Sequence, residues 1–349
     1  VSKLITAGIR PVMITGDHPE IAKTIAVEAG IYSNRQDAKV ITGLELNDYF
    51  KGESKFTQEE ILKCSVFARV SPENKNQLIE LYEKNNIQAA MAGDGINDVI
   101  AVSRAKIGIA VSNATDIVKE AADVVITGSY DALANAVEIG RLIMFRTRLY
   151  LHYLLSGNFC QVGIFFLALI LDLPFPLTPI GLLIINLLTD AAPAMAMAFE
   201  KGDQNVMKQK PKPVEEGIIN KEIYISIFVQ GILSTVFLFL VFYITLPFGE
   251  RYAQTSTFTA YIFQKLFRAF SARSFRSNIT SYGLFSNKFL LYSVLLGFIV
   301  WMIIVLGLPD IFEMTKIRNR DIFIIAVSSL SLPIFEEIFK LAKSRLIYK

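Results

Sequence analysis

The chain has 349 residues, 52% of them hydrophobic, and its 35 Lys and Arg against 32 Asp and Glu leave a formal charge of +3 at neutral pH. Its mean hydropathy of +0.43 is too high for an ordinary soluble protein. No basic stripe with interleaved aromatics occurs, so no nucleic-acid partner is expected, and Cys64 and Cys160 read as buried free thiols rather than a disulfide framework or zinc site.

The opening, VSKLITAGIRPVMITGD, has no initiator Met and no signal peptide; it reads as already inside a folded domain, with the true start upstream. Up to about residue 140, short Val/Ile/Ala-rich runs alternate with amphipathic stretches. Strands are expected at 11–15, 39–43, 66–70, 88–92, 107–111 and 124–127, and helices at PEIAKTIAVEAG and ENKNQLIELYEKN between them. That alternation predicts a doubly wound α/β domain, which we bound at 1–135, with ligands at the carboxyl ends of its strands.

The remainder, 136–349, predicts an all-α polytopic membrane domain with spans at about 149–171, 178–198, 222–246, 255–272, 289–308 and 321–341. The fourth contains Gln264 and Lys265, so its lipid exposure must be partial. Arg141, Arg146, Arg148, Lys201, Lys208, Lys210, Lys212, Arg273, Arg276, Lys288, Lys343, Arg345 and Lys349 flank the spans on one side, with Lys316, Arg318 and Arg320 opposite. This bias places the α/β domain in the cytoplasm. The loop KQKPKPVEEG (208–217) reads as solvated, and as a docking surface for the α/β domain.

Two strand ends carry chemistry. VMITGD ends with Thr15, Gly16 and Asp17, and AMAGDGIND supplies Asp94, Asn97 and Asp98; between them, Lys75 of FARVSPENK opens a helix. Asp-Gly sequences are common in surface turns. A hydroxyl, a lysine and clustered carboxylates converging on one crevice are instead tools for phosphoryl transfer, neutralising phosphate and holding Mg²⁺.

These runs, ITGDHPEIAKTIAVEAGI, FARVSPENK and AGDGINDVIAVSRAKIGIAVS, resemble the phosphorylation domain of P-type cation-transporting ATPases, members of the haloacid dehalogenase superfamily. The resemblance implies that Thr15 contacts the transferred phosphate and Lys75 stabilises its charge. It also implies that Gly16 and Asp17 lie near ATP, and that Asp94 binds Mg²⁺ with Asn97 and Asp98 in support. The sequence holds no DKTGT run, the family's site of the phosphorylated aspartate. In family order that run, the nucleotide-binding and actuator domains and four helices precede this region. The chain alone is therefore expected to be inactive, because covalent catalysis needs its nucleophile.

In the membrane half, Asn158 and Gln161 lie three apart on one face. Asn186 and Asp190 lie four apart and should face the same way, beside Thr189, whose carbonyl loses its helical donor to Pro193. An all-oxygen set of this kind suits a hard cation. In the resemblance, NLLTD matches the sixth-helix motif of calcium pumps, and Asn158 and Gln161 match fifth-helix ligands. Gln161, and by a looser alignment Gln264, stand where two-calcium pumps carry Glu, which disfavours two ions. His18 and His152 read as a loop residue and a helix-face residue. The leading expectation is ATP-driven Ca²⁺ export; the alternatives are a truncated scaffold or passive cation-binding bundle, a pump for Na⁺ or another cation, and a standalone phosphatase.

Overall fold

The computed structural model describes residues 1–32, 39–128, 131–202, 206–213, 216–275, 278–279 and 283–347. Arg276, Lys349 and residues 214–215, all used in the sequence reading, lie outside these. The chain divides into two compact units, Val1–Leu142 with Asp203–Glu215, and Ile143–Gly202 with Glu216–Lys349.

In the first unit the elements run α1 (Ser2–Thr6), β1 (Met13–Ile14), α2 (Pro19–Glu28), β2 (Ile41–Thr42), α3 (Gly43–Lys51), α4 (Gln58–Lys63), β3 (Val66–Ala68), α5 (Pro72–Lys84), β4 (Ala90–Gly93), α6 (Val99–Arg104), β5 (Ile107–Ala110), α7 (Asp116–Ala121) and β6 (Val124–Val125). Helix starts follow from local chemistry. Thr42 with Glu45, Thr57 with Glu60, and Ser71 with Asn74 form reciprocal caps that satisfy the free amides opening α3, α4 and α5.

Among the described residues all strand pairs are parallel, as the α/β expectation requires, and they form two small sheets, β1-β3-β2 and β4-β5-β6. Pairing is a property of neighbouring strands, and nothing in one strand's own composition reports it. Burial on both faces explains the apolar runs. Val66 and Ala68 of β3 pack with Ala22 and Ala26 of α2, while Phe67 between them packs with Ile41, Leu46, Ile61 and Leu78. Cys64 is buried beneath the same layer, and burial pushes its thiol up, so it stays protonated at neutral pH. The 206–213 segment belongs to this unit, where Arg141 donates to the carbonyls of Val206, Gln209 and Ala7.

The second unit is helical. It holds most of α8 (Asp131–Ile170), then α9 (Pro179–Ile184), a π-helical turn (Ile185–Asp190), α10 (Ala191–Met197), α11 (Lys221–Thr245), α12 (Glu250–Ser271), α13 (Lys288–Met302) and α14 (Ile322–Ile347). Among the described residues, five helical stretches are long and apolar enough to cross a membrane: 132–170, 179–197, 221–248, 288–307 and 319–341. The fourth expected span, α12, forms where expected but is not apolar enough to join them. It sits inside the bundle, with Thr255, Thr259, Gln264, Lys265, Arg268 and Ser271 all buried. Polar groups are retained there because neighbouring helices, not lipid, surround them.

Candidate functional sites in the two units

Thr15 and Asp17 follow β1, and the Thr15 hydroxyl donates to Asp17 Oδ2 at 2.8 Å while accepting from the Asp17 amide at 3.1 Å. The loop is tied to the turn after β3: the Arg69 amide donates to the Asp17 carbonyl, and the Val70 amide to that of Thr15. Arg69 adopts a left-handed backbone (φ 51°), a costly conformation for a non-glycine residue that turns the chain sharply into α5. His18 caps α2, its Nδ1 accepting from the Glu20 amide.

From the start of α5, Lys75 Nζ donates to Asp98 Oδ1 at 2.5 Å. Asp98 is buried behind β4, and Gly93 makes room for it: a Cβ at that glycine would lie 2.5 Å from Asp98 Cβ. Asp94 and Asn97 are exposed, and among the described residues neither side chain has a partner. The structure thus brings the proposed residues together as two bonded pairs, Thr15 with Asp17 and Lys75 with Asp98, and leaves Asp94 as a free carboxylate. One free carboxylate, one free amide and solvent access fit a Mg²⁺ ion, which keeps most of its own water and needs only one or two protein oxygens.

In the helical unit, Gln161 Nε2 donates to Asn186 Oδ1 at 2.9 Å and to the Tyr261 hydroxyl at 3.2 Å. Thr189 is buried, its hydroxyl donating to the Ile185 carbonyl at 2.8 Å. Asp190 is 2% exposed, and the Lys265 ammonium of α12 lies 3.0 Å from its Oδ2.

Several expectations change. Asn186 and Asp190 do not share a setting, since Asn186 is exposed and Asp190 buried. The π-turn over Ile185–Asp190 is wider than an α-turn and rotates residues that a regular helix would align. Asn158 is exposed as well. Gln264 bonds elsewhere: it accepts from Ser234 and donates to the Ser328 carbonyl at 3.0 Å. Adjacent helical residues point about 100° apart, so when Gln264 faces α11 and α14 its neighbour Lys265 faces Asp190. His152 is buried, with Nε2 2.9 Å from the Ser226 hydroxyl.

Sequence reasoning missed Lys265 as a site residue, together with Arg268, which donates to Ser156 Oγ at 2.5 Å and lies 3.7 Å from Glu336. The usable signal was two cations three apart, hence on one helical face, in a chain whose neighbouring span holds an aspartate.

A family model for the C-terminus of cation-transporting ATPases matches residues 174–342, and one for haloacid dehalogenase-like hydrolases matches 1–106. Across both regions the chain is 33% identical to a calcium-transporting ATPase of Bacillus subtilis, covering 94% of this chain and 37% of that protein. The chain belongs to the P-type cation-transporting ATPases. Calcium-transporting ATPase 1 of Bacillus cereus is 37% identical, over 97% of this chain and 40% of the relative. The human calcium-transporting ATPase type 2C member 1 is 30% identical, over 99% of this chain and 38% of the relative. The chain thus spans well under half the length of the curated relatives it matches. For a P-type ATPase the two units are a haloacid-dehalogenase-like domain and a multi-pass membrane domain.

Proposed function

We propose that this chain supplies the phosphate-handling and cation-binding C-terminal part of an ATP-driven pump that exports Ca²⁺, with the α/β unit in the cytoplasm. The observation that carries the reading is the Lys75–Asp98 pair together with an exposed, unpaired Asp94 in the same loop as Asp98. Lys75 places a cation where a transferred phosphoryl group gathers negative charge, and Thr15 offers it a hydroxyl. Asp94 and Asn97 would hold Mg²⁺, which neutralises phosphate charge when bound. Gly16 and Asp17 would border ATP.

The strands that carry both loops, β1 and β4, are edge strands of their sheets. An edge presents unpaired backbone groups ready for another strand. We propose that a strand bearing the aspartate nucleophile, from the part of the pump that also holds the nucleotide-binding domain, actuator and four helices, fills that position. In the membrane, Asp190, Thr189, Gln161 and Asn186 would bind the ion, with the exposed Asn158 and Asn186 completed by helices outside this chain. The names of the matched relatives support Ca²⁺ as that ion.

Phosphorylation tests this reading. The chain alone, with no DKTGT run, is expected to form no acid-stable phosphoenzyme from ATP. The complete pump reconstituted in vesicles is expected to show Ca²⁺-stimulated ATPase that Asp94→Asn abolishes. Stimulation by Na⁺ or K⁺ and not by Ca²⁺ removes the ion assignment, and normal turnover in Asp94→Asn removes the magnesium site.

A further inference from the structure

Among the described residues of the helical unit, the buried carboxylates are Asp190, Glu200, Asp321 and Glu336. Each lies within 4 Å of a lysine or arginine nitrogen: Lys265 at 3.0 Å, Arg273 at 2.8 Å, Arg320 at 3.5 Å and Arg268 at 3.7 Å respectively. Among the described residues, then, the interior offers an incoming divalent ion no buried carboxylate without a cation beside it. Asp190 is the case that matters, because in the pump reading it is the charged ligand of the transported ion.

The Lys265–Asp190 contact differs from the other close pair. Arg273 grips Glu200 with two hydrogen bonds, at 2.9 and 2.8 Å, and also donates to the Gly283 carbonyl, which fixes it. Lys265 Nζ lies 3.0 Å from Asp190 Oδ2, yet both carboxylate oxygens lack a well-aligned hydrogen-bond partner although the residue is 2% exposed. The ammonium also has partners other than Asp190. It sits 4.5 Å from the Tyr153 ring centre and 5.8 Å from that of Tyr261, and it donates to the Tyr153 carbonyl at 3.4 Å. Room for it comes from Gly157, where a Cβ would collide with Lys265 Nζ.

We propose that Lys265 is a tethered cation seated on the transport site: its ammonium neutralises Asp190 while the site holds no ion, and a divalent cation binds only by pushing it aside. The proposal rests on the pump reading for Asp190 as an ion ligand and adds the residue that sets selectivity there. Repulsion between the ammonium and a bound ion scales with the ion's charge, so Lys265 disfavours Ca²⁺ more steeply than a monovalent ion. It also avoids an uncompensated carboxylate inside the bundle after the ion leaves.

Equilibrium ⁴⁵Ca²⁺ binding to the complete pump in lipid nanodiscs tests this with Lys265→Gln, Gly157→Ala and Asp190→Asn. Lys265→Gln deletes the tethered charge, and Gly157→Ala keeps every charge but displaces the flexible end of Lys265. Both are expected to tighten Ca²⁺ binding at least about tenfold and to show a Ca²⁺-dependent rise in Tm larger than wild type, while Asp190→Asn weakens binding. Where Lys265→Gln fails to fold, Gly157→Ala decides. Unchanged or weaker binding in the folded variants overturns the proposal; a purely structural ion pair predicts that result. Ca²⁺-stimulated ATPase of the complete pump is measured in parallel. Stimulation without an affinity gain removes the tethered cation and keeps the pump, whereas an affinity gain without stimulation does the reverse.

Discussion

Each unit holds a lysine against an aspartate, in opposite surroundings. The Lys75 and Asp98 side chains are 13% and 11% exposed, next to a free, solvated carboxylate at Asp94. The Lys265 and Asp190 side chains are 4% and 2% exposed, and no free carboxylate is buried with them among the described residues. In the α/β unit the pair leaves the Asp94 carboxylate unpaired among the described residues, and solvent can compensate whatever changes. In the helical unit the pair neutralises the Asp190 carboxylate inside the bundle, where both side chains are almost wholly buried. The same two residue types therefore meet near solvent in one unit and inside a helical bundle in the other.

Stability separates the two most widely. Lys265→Leu leaves Asp190 buried and uncompensated, which costs about 3–5 kcal/mol by analogy with other broken buried pairs. A large drop in Tm is expected in detergent or nanodiscs, and most of it should return in the Lys265→Leu/Asp190→Leu double variant, where neither charge remains. Additive losses in the double variant would break the comparison, because they would mean the two groups do not compensate each other.

Lys75→Ala should reverse the order of effects. Its partner can reach water, so the Tm falls little, while phosphoenzyme formation by the complete pump falls about 10²–10³-fold, as when other preorganised charge stabilisers are removed. A large Tm loss with normal phosphorylation would make Lys75 a structural group rather than a phosphate-handling one.

The smallest effect lies on the surface of the α/β unit and shows how little an exposed pair does. The Thr57 backbone amide, the Lys39 ammonium and the Thr57 hydroxyl pull Glu60 down from its ordinary 4.5 to about 2. A carboxyl depressed in the folded state stabilises above its unfolded value and loses that contribution as pH falls towards 2. Glu60→Gln should lower stability slightly at neutral pH, with the difference from wild type vanishing as pH falls towards 2; a neutral-pH loss comparable to that of Lys265→Leu contradicts the ordering.

The same contrast explains what was legible in the sequence. The Val66-Phe67-Ala68 run announced a strand buried on both faces because both faces are apolar, and the membrane helices announced themselves by length and hydropathy. The division into two sheets was not legible, since pairing depends on neighbours and not on β1 or β4 alone. The free carboxylate of Asp94 lay in a local motif, where sequence spacing suffices. The Lys265–Asp190 pair joins segments far apart in the chain, and its geometry depends on the π-turn ahead of Pro193 and on the rotation of α12. Neither has a short-range signature, so Gln264 stood out in the sequence and its neighbour did not.

The division of labour itself is tested most directly by phosphorylating the complete pump from inorganic phosphate, a route that needs the α/β chemistry but not ATP. Asp94→Asn and Asp190→Asn are compared across a Ca²⁺ titration. The account predicts no phosphoenzyme from Asp94→Asn at any Ca²⁺ concentration, and a normal phosphoenzyme from Asp190→Asn that no longer responds to Ca²⁺. Phosphorylation of Asp94→Asn at the wild-type level, or an unaltered Ca²⁺ response in Asp190→Asn, would contradict it.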